Sequence, residues 1–371
     1  MKKIFTVLTS IALTFALSFS AAFANDDALM KSQNYLKTIT LDSPDAVIAY
    51  EATGMEADYK ADALLNNFKE TDYVTASYGD LAKSIIAISL LGENPKDFNN
   101  TNLVEILENR VQEDGTLTND VNGGCGATIW TLMALETVNS PKVKAVADKL
   151  STMAMDNGAY WYEYQGPNAD LDTTGWAMEA LSVAGRSTYK AAISKAYTFV
   201  QSKLNSTDGY YDNWGGNADT QSCVLEGLSV AGYTLDTNAY NYLLSYQNED
   251  GTFNALNYST GQLEPNAYAS VEGARALGVI NNDSFVLEAR RDYTKTTTPV
   301  VTEPETPTKP STPTTPGTTT PAVKPETTTT EPKKETVKVV NTGDNTNVMA
   351  YVVAAIAAVG VIVLVIKSKK K

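Results

Sequence analysis

The chain has 371 residues, with 29 Lys plus Arg against 43 Asp plus Glu and no histidine, for a formal charge of -14. This acidity argues against nucleic acid as a partner, which calls for a basic footprint. The missing histidine excludes His-based acid-base chemistry, Ser-His-Asp and Cys-His arrangements and imidazole zinc sites, and two cysteines, Cys125 and Cys223, are too few for a Cys-rich zinc module or a disulfide scaffold.

Residues 1–24 join Lys2 and Lys3 to an apolar stretch that ends in Ala22-Phe23-Ala24, a small-x-small cleavage signal. They read as a secretory signal peptide, so the mature chain is expected to start at Asn25 and to be exported.

From residue 25 to 292 the pattern repeats. Asp-Gly or Asn-Gly turns place glycines at 115, 158, 209 and 251, at intervals of 43, 51 and 42. After each turn comes a polar or aromatic loop and then a short apolar helix: Trp130 to Leu135, Trp176 to Leu181, Cys223 to Leu228 and Glu272 to Leu277, with Ile85 to Leu90 as an earlier, poorly marked member. Before each turn lies an amphipathic helix, such as Val143 to Ala154 or Ala192 to Leu204. Each unit is a helical hairpin that must stack to bury its apolar face. An all-α domain is expected, with about five hairpins, the more apolar second helices inside, and residues 28–50 as a cap. No strand-period stretch of consequence is visible.

Three stretches carry a resemblance: Gln112-Glu113-Asp114-Gly115-Thr116, Asp172-Thr173-Thr174-Gly175-Trp176-Ala177 and Gln247-Asn248-Glu249-Asp250-Gly251-Thr252-Phe253. They are similar to the prenyltransferase and squalene-cyclase repeat. The resemblance implies an α/α toroid with its site where inner-helix N-termini converge, and says little of activity, because members of that superfamily do unrelated things. Prenyltransferase zinc chemistry would need a histidine. A thioester would need a Gln where Thr128 follows Cys125-Gly126-Ala127. The Asp-x-Asp-Asp of terpene cyclases is matched by Asp170-Leu171-Asp172-Thr173 with Thr last. Asp172 would then be the proton donor and Asp170 its helper. The same Asp172 also fits a helix N-cap, with Asp219 equivalent in the next repeat.

Aromatic clusters precede two of the inner helices. Tyr160, Trp161, Tyr164, Trp176, Tyr211 and Trp214, with Asp219, are expected at a ligand site, where rings stack on a sugar or flat organic molecule and acids hold its hydroxyls. Alternatively the rings plug the mouth of the toroid. Cys125 and Cys223 are expected as buried free thiols, and no metal site or cofactor is expected.

Residues 293–338 are nearly all Thr, Pro, Glu and Lys and read as a disordered stalk. Within residues 339–371, Val348 to Ile366 is uncharged and long enough to cross a bilayer, and a Lys-rich tail follows. Together with Thr342-Gly343 just ahead, this order resembles the sorting signal of Gram-positive surface proteins, with Val339-Val340 where that signal has Leu-Pro. It implies a sortase-type transpeptidase cutting between Thr342 and Gly343 and joining the chain to the cell wall; the alternative is a membrane anchor through the C-terminal helix. The expected function is a surface-displayed binding module for an extracellular glycan or small organic ligand. The alternatives are a carboxylate-dependent extracellular enzyme and a purely adhesive head.

Overall fold

The computed structural model describes residues 26–56, 62–120, 124–162 and 166–297. The expected signal peptide, the expected stalk beyond residue 297, the sorting-like sequence with Thr342 and Gly343, and the apolar span lie outside the described residues. In chain order the elements are α1 (Asp26–Leu36), α2 (Pro44–Ala52), α3 (Asp62–Glu70), α4 (Tyr78–Leu90), α5 (Leu103–Asn109), α6 (Gly126–Thr137), α7 (Val143–Met153), α8 (Leu171–Gly185), α9 (Lys190–Ser202), α10 (Ala218–Val230) and α11 (Thr237–Leu244). A hairpin of β1 (Phe253–Asn257) and β2 (Gln262–Asn266) follows, then α12 (Ala267–Asn281) and α13 (Phe285–Thr297). The fold is mostly α. Among the described residues no helix is long and apolar enough to cross a membrane.

Burial alternates with helix number. All twelve residues of α6 are buried, whereas α7 buries only Val146, Ala147 and Leu150, one stripe of its circumference. The even-numbered helices pack in sequence, α2 on α4, α4 on α6, α6 on α8, α8 on α10 and α10 on α12, and α12 packs back on α2. Outside them, α7, α9 and α11 pack against the even helices that they adjoin in the chain.

The turn glycines mark the joints between successive units. Gly115, Gly158, Gly209 and Gly251 have φ between 81° and 90°, and a Cβ on them would stand 2.0 to 2.4 Å from the backbone oxygens of Ala145, Lys195, Asn238 and Lys31. The first three rest on the next outer helix along the chain, whereas Gly251 rests on α1, the first helix. Gly251→Ala therefore combines a left-handed backbone with a backbone clash and is expected to cost several kcal/mol. Gly261, with φ 69° but open space around it, should lose only about 1 kcal/mol as Ala. Denaturant midpoints of the two variants check this; equal losses would remove the role of the joint.

Three differences from the sequence reading have physical reasons. Residues 26–52 form a helical pair in register with the others, not a cap, which makes six pairs where about five were expected. Ser43 caps α2 and Pro44 opens it, and Val47, Ile48 and Ala49 are fully buried between α4 and α12. The hairpin was missed because its five-residue strands straddle Tyr258-Ser259-Thr260-Gly261 and are too short to show a period. The last helix runs to Thr297, past the boundary at 292, because Tyr293 is buried and the Thr296 hydroxyl donates to the Gly92 carbonyl at 3.1 Å.

Candidate functional site at the N-terminal ends of the inner helices

Besides α2 with Ser43, four inner helices start on side-chain caps in extended backbone. Ser77 accepts from the amide of Asp80, Asp170 from Thr173, Asn217 from Thr220 and Asn266 from Ala269. The N-caps of α8 and α10 are thus Asp170 and Asn217, each two residues ahead of the Asp172 and Asp219 considered for that part. Both Asp172 and Asp219 lie in the first helical turn, so their carboxylates are not used as caps.

From there one face runs down each of three helices at the spacing i, i+4, i+7: Asp172, Trp176 and Glu179 on α8, Asp219, Cys223 and Glu226 on α10, and Tyr268, Glu272 and Arg275 on α12. Contacts between helices show that these faces meet. The Cys223 thiol lies 4.0 Å from Glu272 Oε2, and Arg275 Nε stands 3.1 Å from both oxygens of Glu226. On the other helices Lys83 pairs with Asp45 at 2.8 Å and lies 4.6 Å over the Trp130 ring, which in turn is 5.8 Å from that of Trp176. From below, Phe285 of α13 stacks on Trp130 and the Ser284 hydroxyl donates to Glu179 at 2.7 Å. Arg290 pairs with Glu136 in the last turn of α6.

At the upper end the Asn213 amide donates to Asp170 Oδ1 at 3.1 Å, to Asp172 Oδ1 at 3.2 Å and to the Thr220 hydroxyl at 3.3 Å. One loop residue thereby ties the starts of α8 and α10 together. Burial, then the nearby Asp170, push the Asp172 carboxyl up to about 7; Asp219 adds to this, while Thr220 and Asn213 pull the other way. Burial also raises Asp219, whose Oδ1 is enclosed without a hydrogen-bond partner.

Deeper in, three buried carboxyls surround one guanidinium. Burial raises Glu226, offset by Arg275, and raises Glu179 further because Glu226 stands beside it. Glu272 is pushed up to about 8, again by burial, with Arg275 opposing. The folded chain therefore holds protons that an unfolded one releases. Their contribution to stability is complete below the ordinary Glu pKa near 4.5 and is lost as pH rises through about 8. Melting temperatures are expected to fall between pH 5 and pH 9, less steeply in Glu272→Gln; a parallel curve for the variant would rule Glu272 out.

Between the starts of α4 and α6 lies a hollow of about 800 Å³ walled by Tyr78, Trp130 and Tyr162, with Arg110 and Asp120 at its edge. The Arg110 guanidinium is held by the carbonyls of Tyr73, Val74 and Ala76, and the Tyr78 hydroxyl by those of Arg110 and Thr118. Both groups shape the wall. Among the described residues no set of three or more Cys, Asp or Glu stands where it could hold a metal ion.

The residues expected at the site are dispersed. Asp170, Asp172, Asp219 and Trp176 gather at the starts of α8 and α10. Tyr160 and Tyr211 do not join them. They sit two positions after their turn glycines, as Leu117 and Phe253 do, and all four side chains are buried. These are core residues, since that position points inward in every unit. Trp161 is half-buried against the core, Trp214 is 95% exposed, and Tyr164 lies outside the described residues. Cys125 and Cys223 are buried and not disulfide-bonded. The sequence reading passed over Glu179, Glu226, Glu272 and Arg275. Their signal was a charge inside each apolar helix, with Glu179, Glu226 and Arg275 aligned at one position of the repeat and Glu272 in register with Trp176 and Cys223. No protein-family model matches the chain, and none of the curated proteins compared with it matches either.

Proposed function

We propose that this chain is an exported α/α toroid of six helical pairs that binds a small organic or glycan ligand at the starts of its inner helices. The return of α12 onto α2, and of Gly251 onto α1, supports the toroid. The observation that carries the binding function is the aromatic-walled hollow of about 800 Å³ joined through Trp130 and Trp176 to the uncapped acids Asp172 and Asp219. A hollow of this size, with ring walls beside polar groups such as Ser77, Asn109, Thr118 and Asp120, suits a small ligand that both stacks and hydrogen-bonds, as a sugar does. The signal peptide, the Thr/Pro stalk and the sorting-like tail would place the toroid at the cell surface, held by a sortase-type transpeptidase on the wall or by residues 348–366 in the membrane.

A second reading, a carboxylate-dependent enzyme, is favoured by Asp172, which is poised to hold a proton near neutrality. The two readings differ in sign. A bound hydroxyl donates to ionised Asp172, so affinity should rise as pH climbs through about 7. Proton donation by Asp172 would instead make turnover fall over the same interval. Screening the full chain against soluble glycans and small aromatic molecules, then titrating any hit against pH, tests both. Asp172→Asn should flatten the profile, and an unchanged profile would remove Asp172 from the site.

A further inference from the structure

The loops that enter the inner helices differ in charge from those that leave them. Of the six loops that enter the inner helices, five have no Lys or Arg: the described residues of 71–80, 111–125, 154–172, 204–219 and 247–266 include fourteen Asp or Glu, whereas the sixth, 37–43, has Lys37 and Asp42. The stretches that leave the inner helices, 53–56, 91–102, 138–142, 186–189 and 231–236, mix four acidic with three basic residues. Helix-start acids account for some of this through capping and the helix dipole, and Glu249 and Glu113 pair with Lys31 and Lys142, but Asp114, Asp208 and Asp250 lie in turns with no such cation beside them among the described residues' ion pairs.

The acidic loops also carry exposed apolar groups. Leu256 and Leu263 are directly opposite across β1 and β2, so they share one face of the hairpin, and they are 48% and 56% exposed. Tyr258, at the hairpin tip, is 91% exposed. On the loop of the neighbouring unit Trp214 is 95% exposed with φ 65°, a left-handed conformation that is uncommon for a bulky residue. This loop is pinned on both sides of the tryptophan. Asn213 is bound to Asp170 and Asp172, the Gly215 amide donates to Asp212, and the Tyr246 hydroxyl donates to the Gly216 carbonyl. The indole is held outward on an anchored backbone, an arrangement met where strain serves function.

We propose that the hairpin face and Trp214 form a docking surface for a cationic, amphipathic polypeptide. The acids attract basic side chains over the length of the surface, and Leu256, Leu263 and Trp214 receive the apolar ones. Charge selects this occupant. An anionic glycan, an anionic lipid surface or the same face of a second copy would each meet like charge on all five loops. The surface shares no residue with the hollow walled by Tyr78, Trp130 and Tyr162, although the Trp214 loop reaches Asp172 through Asn213.

The test uses the full chain tethered by its C-terminal end, with three synthetic peptides: alternating Lys and Leu, all Lys, and alternating Glu and Leu. The Lys/Leu peptide should bind, at least about tenfold more tightly than either of the others, and more weakly as salt is raised. The combined exchange Trp214→Ser, Leu256→Ser and Leu263→Ser should weaken it by about tenfold or more, with the melting temperature unchanged because all three side chains are exposed. Met30→Ser, an exposed apolar residue on α1, should bind as the parent does. Equal binding of the all-Lys peptide, equal binding of the Glu/Leu peptide, an unaffected triple variant, or an equal loss in Met30→Ser would each overturn the proposal.

Discussion

Arg275→Met is expected to destabilise the fold by about 3–5 kcal/mol at neutral pH, the range for breaking a buried ion pair from one side. Arg275 and Glu226 are each 1% exposed or less, and the guanidinium touches both oxygens of Glu226 while its other nitrogen lies 3.8 Å from Glu272. Methionine fills much of the volume but leaves Glu226 with no positive partner. Glu226 must then either stay charged in an apolar interior or take up a proton, and Glu179 beside it already favours its protonated form. The loss should accordingly shrink in acid, where protonating Glu226 costs little. Removing the charge as well, in Glu226→Gln with Arg275→Met, should recover a large part of the stability. Denaturant melts of both variants at pH 5 and pH 7.5 decide the matter. A single variant within about 1 kcal/mol of the parent at neutral pH would show that the cluster is hydrated and contributes little.

That cluster was written in the sequence in a form that local reading discounts. WAMEAL, CVLEGL and EGARAL align on their apolar residues, and the charges at Glu179, Glu226 and Arg275 look like interruptions of a buried helix. Only packing of each such helix on the next, and of α12 back on α2, gives one face of each an interior partner, and that packing depends on contacts between residues far apart in the chain. The hydrogen bonds from Gln247 to Ala28 and Ser32, and from Asn282 to Ala52, span more than two hundred residues. The turn glycines were legible because φ near 85° beside a neighbouring backbone admits no other residue. The N-cap of α8 was ambiguous for a different reason. Asp170 and Asp172 are both capping residues, and the choice was made by the Thr173 amide and hydroxyl, each bonded to Asp170 Oδ2. Displacing the cap by two residues frees the Asp172 carboxyl from the helix amides and leaves it to Asn213 and Thr220, which is the difference between a helix start and a site.

The aromatic loops separate the two parts that the rings were expected to play. Tyr160→Ala should cost about 3–5 kcal/mol, as for other large aromatic truncations in a core, and Tyr211→Ala a similar amount. Both side chains are fully buried. The backbone of Tyr160 also fixes the start of α8: its amide donates to the Thr174 hydroxyl and its carbonyl accepts from the Asp170 amide. A cavity beneath that pair loosens the segment that carries Asp170 and Asp172, so ligand affinity should fall along with stability. Trp214→Gly acts in the opposite direction. It removes an indole that contributes almost no buried area and places glycine where φ is 65°, and the gain from relieving that conformation is offset in part by the freer unfolded chain. The net change should lie within about 1 kcal/mol of the parent, of either sign. Thermal melts of the two variants side by side distinguish core from rim. If Trp214→Gly lost as much as Tyr160→Ala, Trp214 would be a packing residue and not an anchor of the acidic loop face.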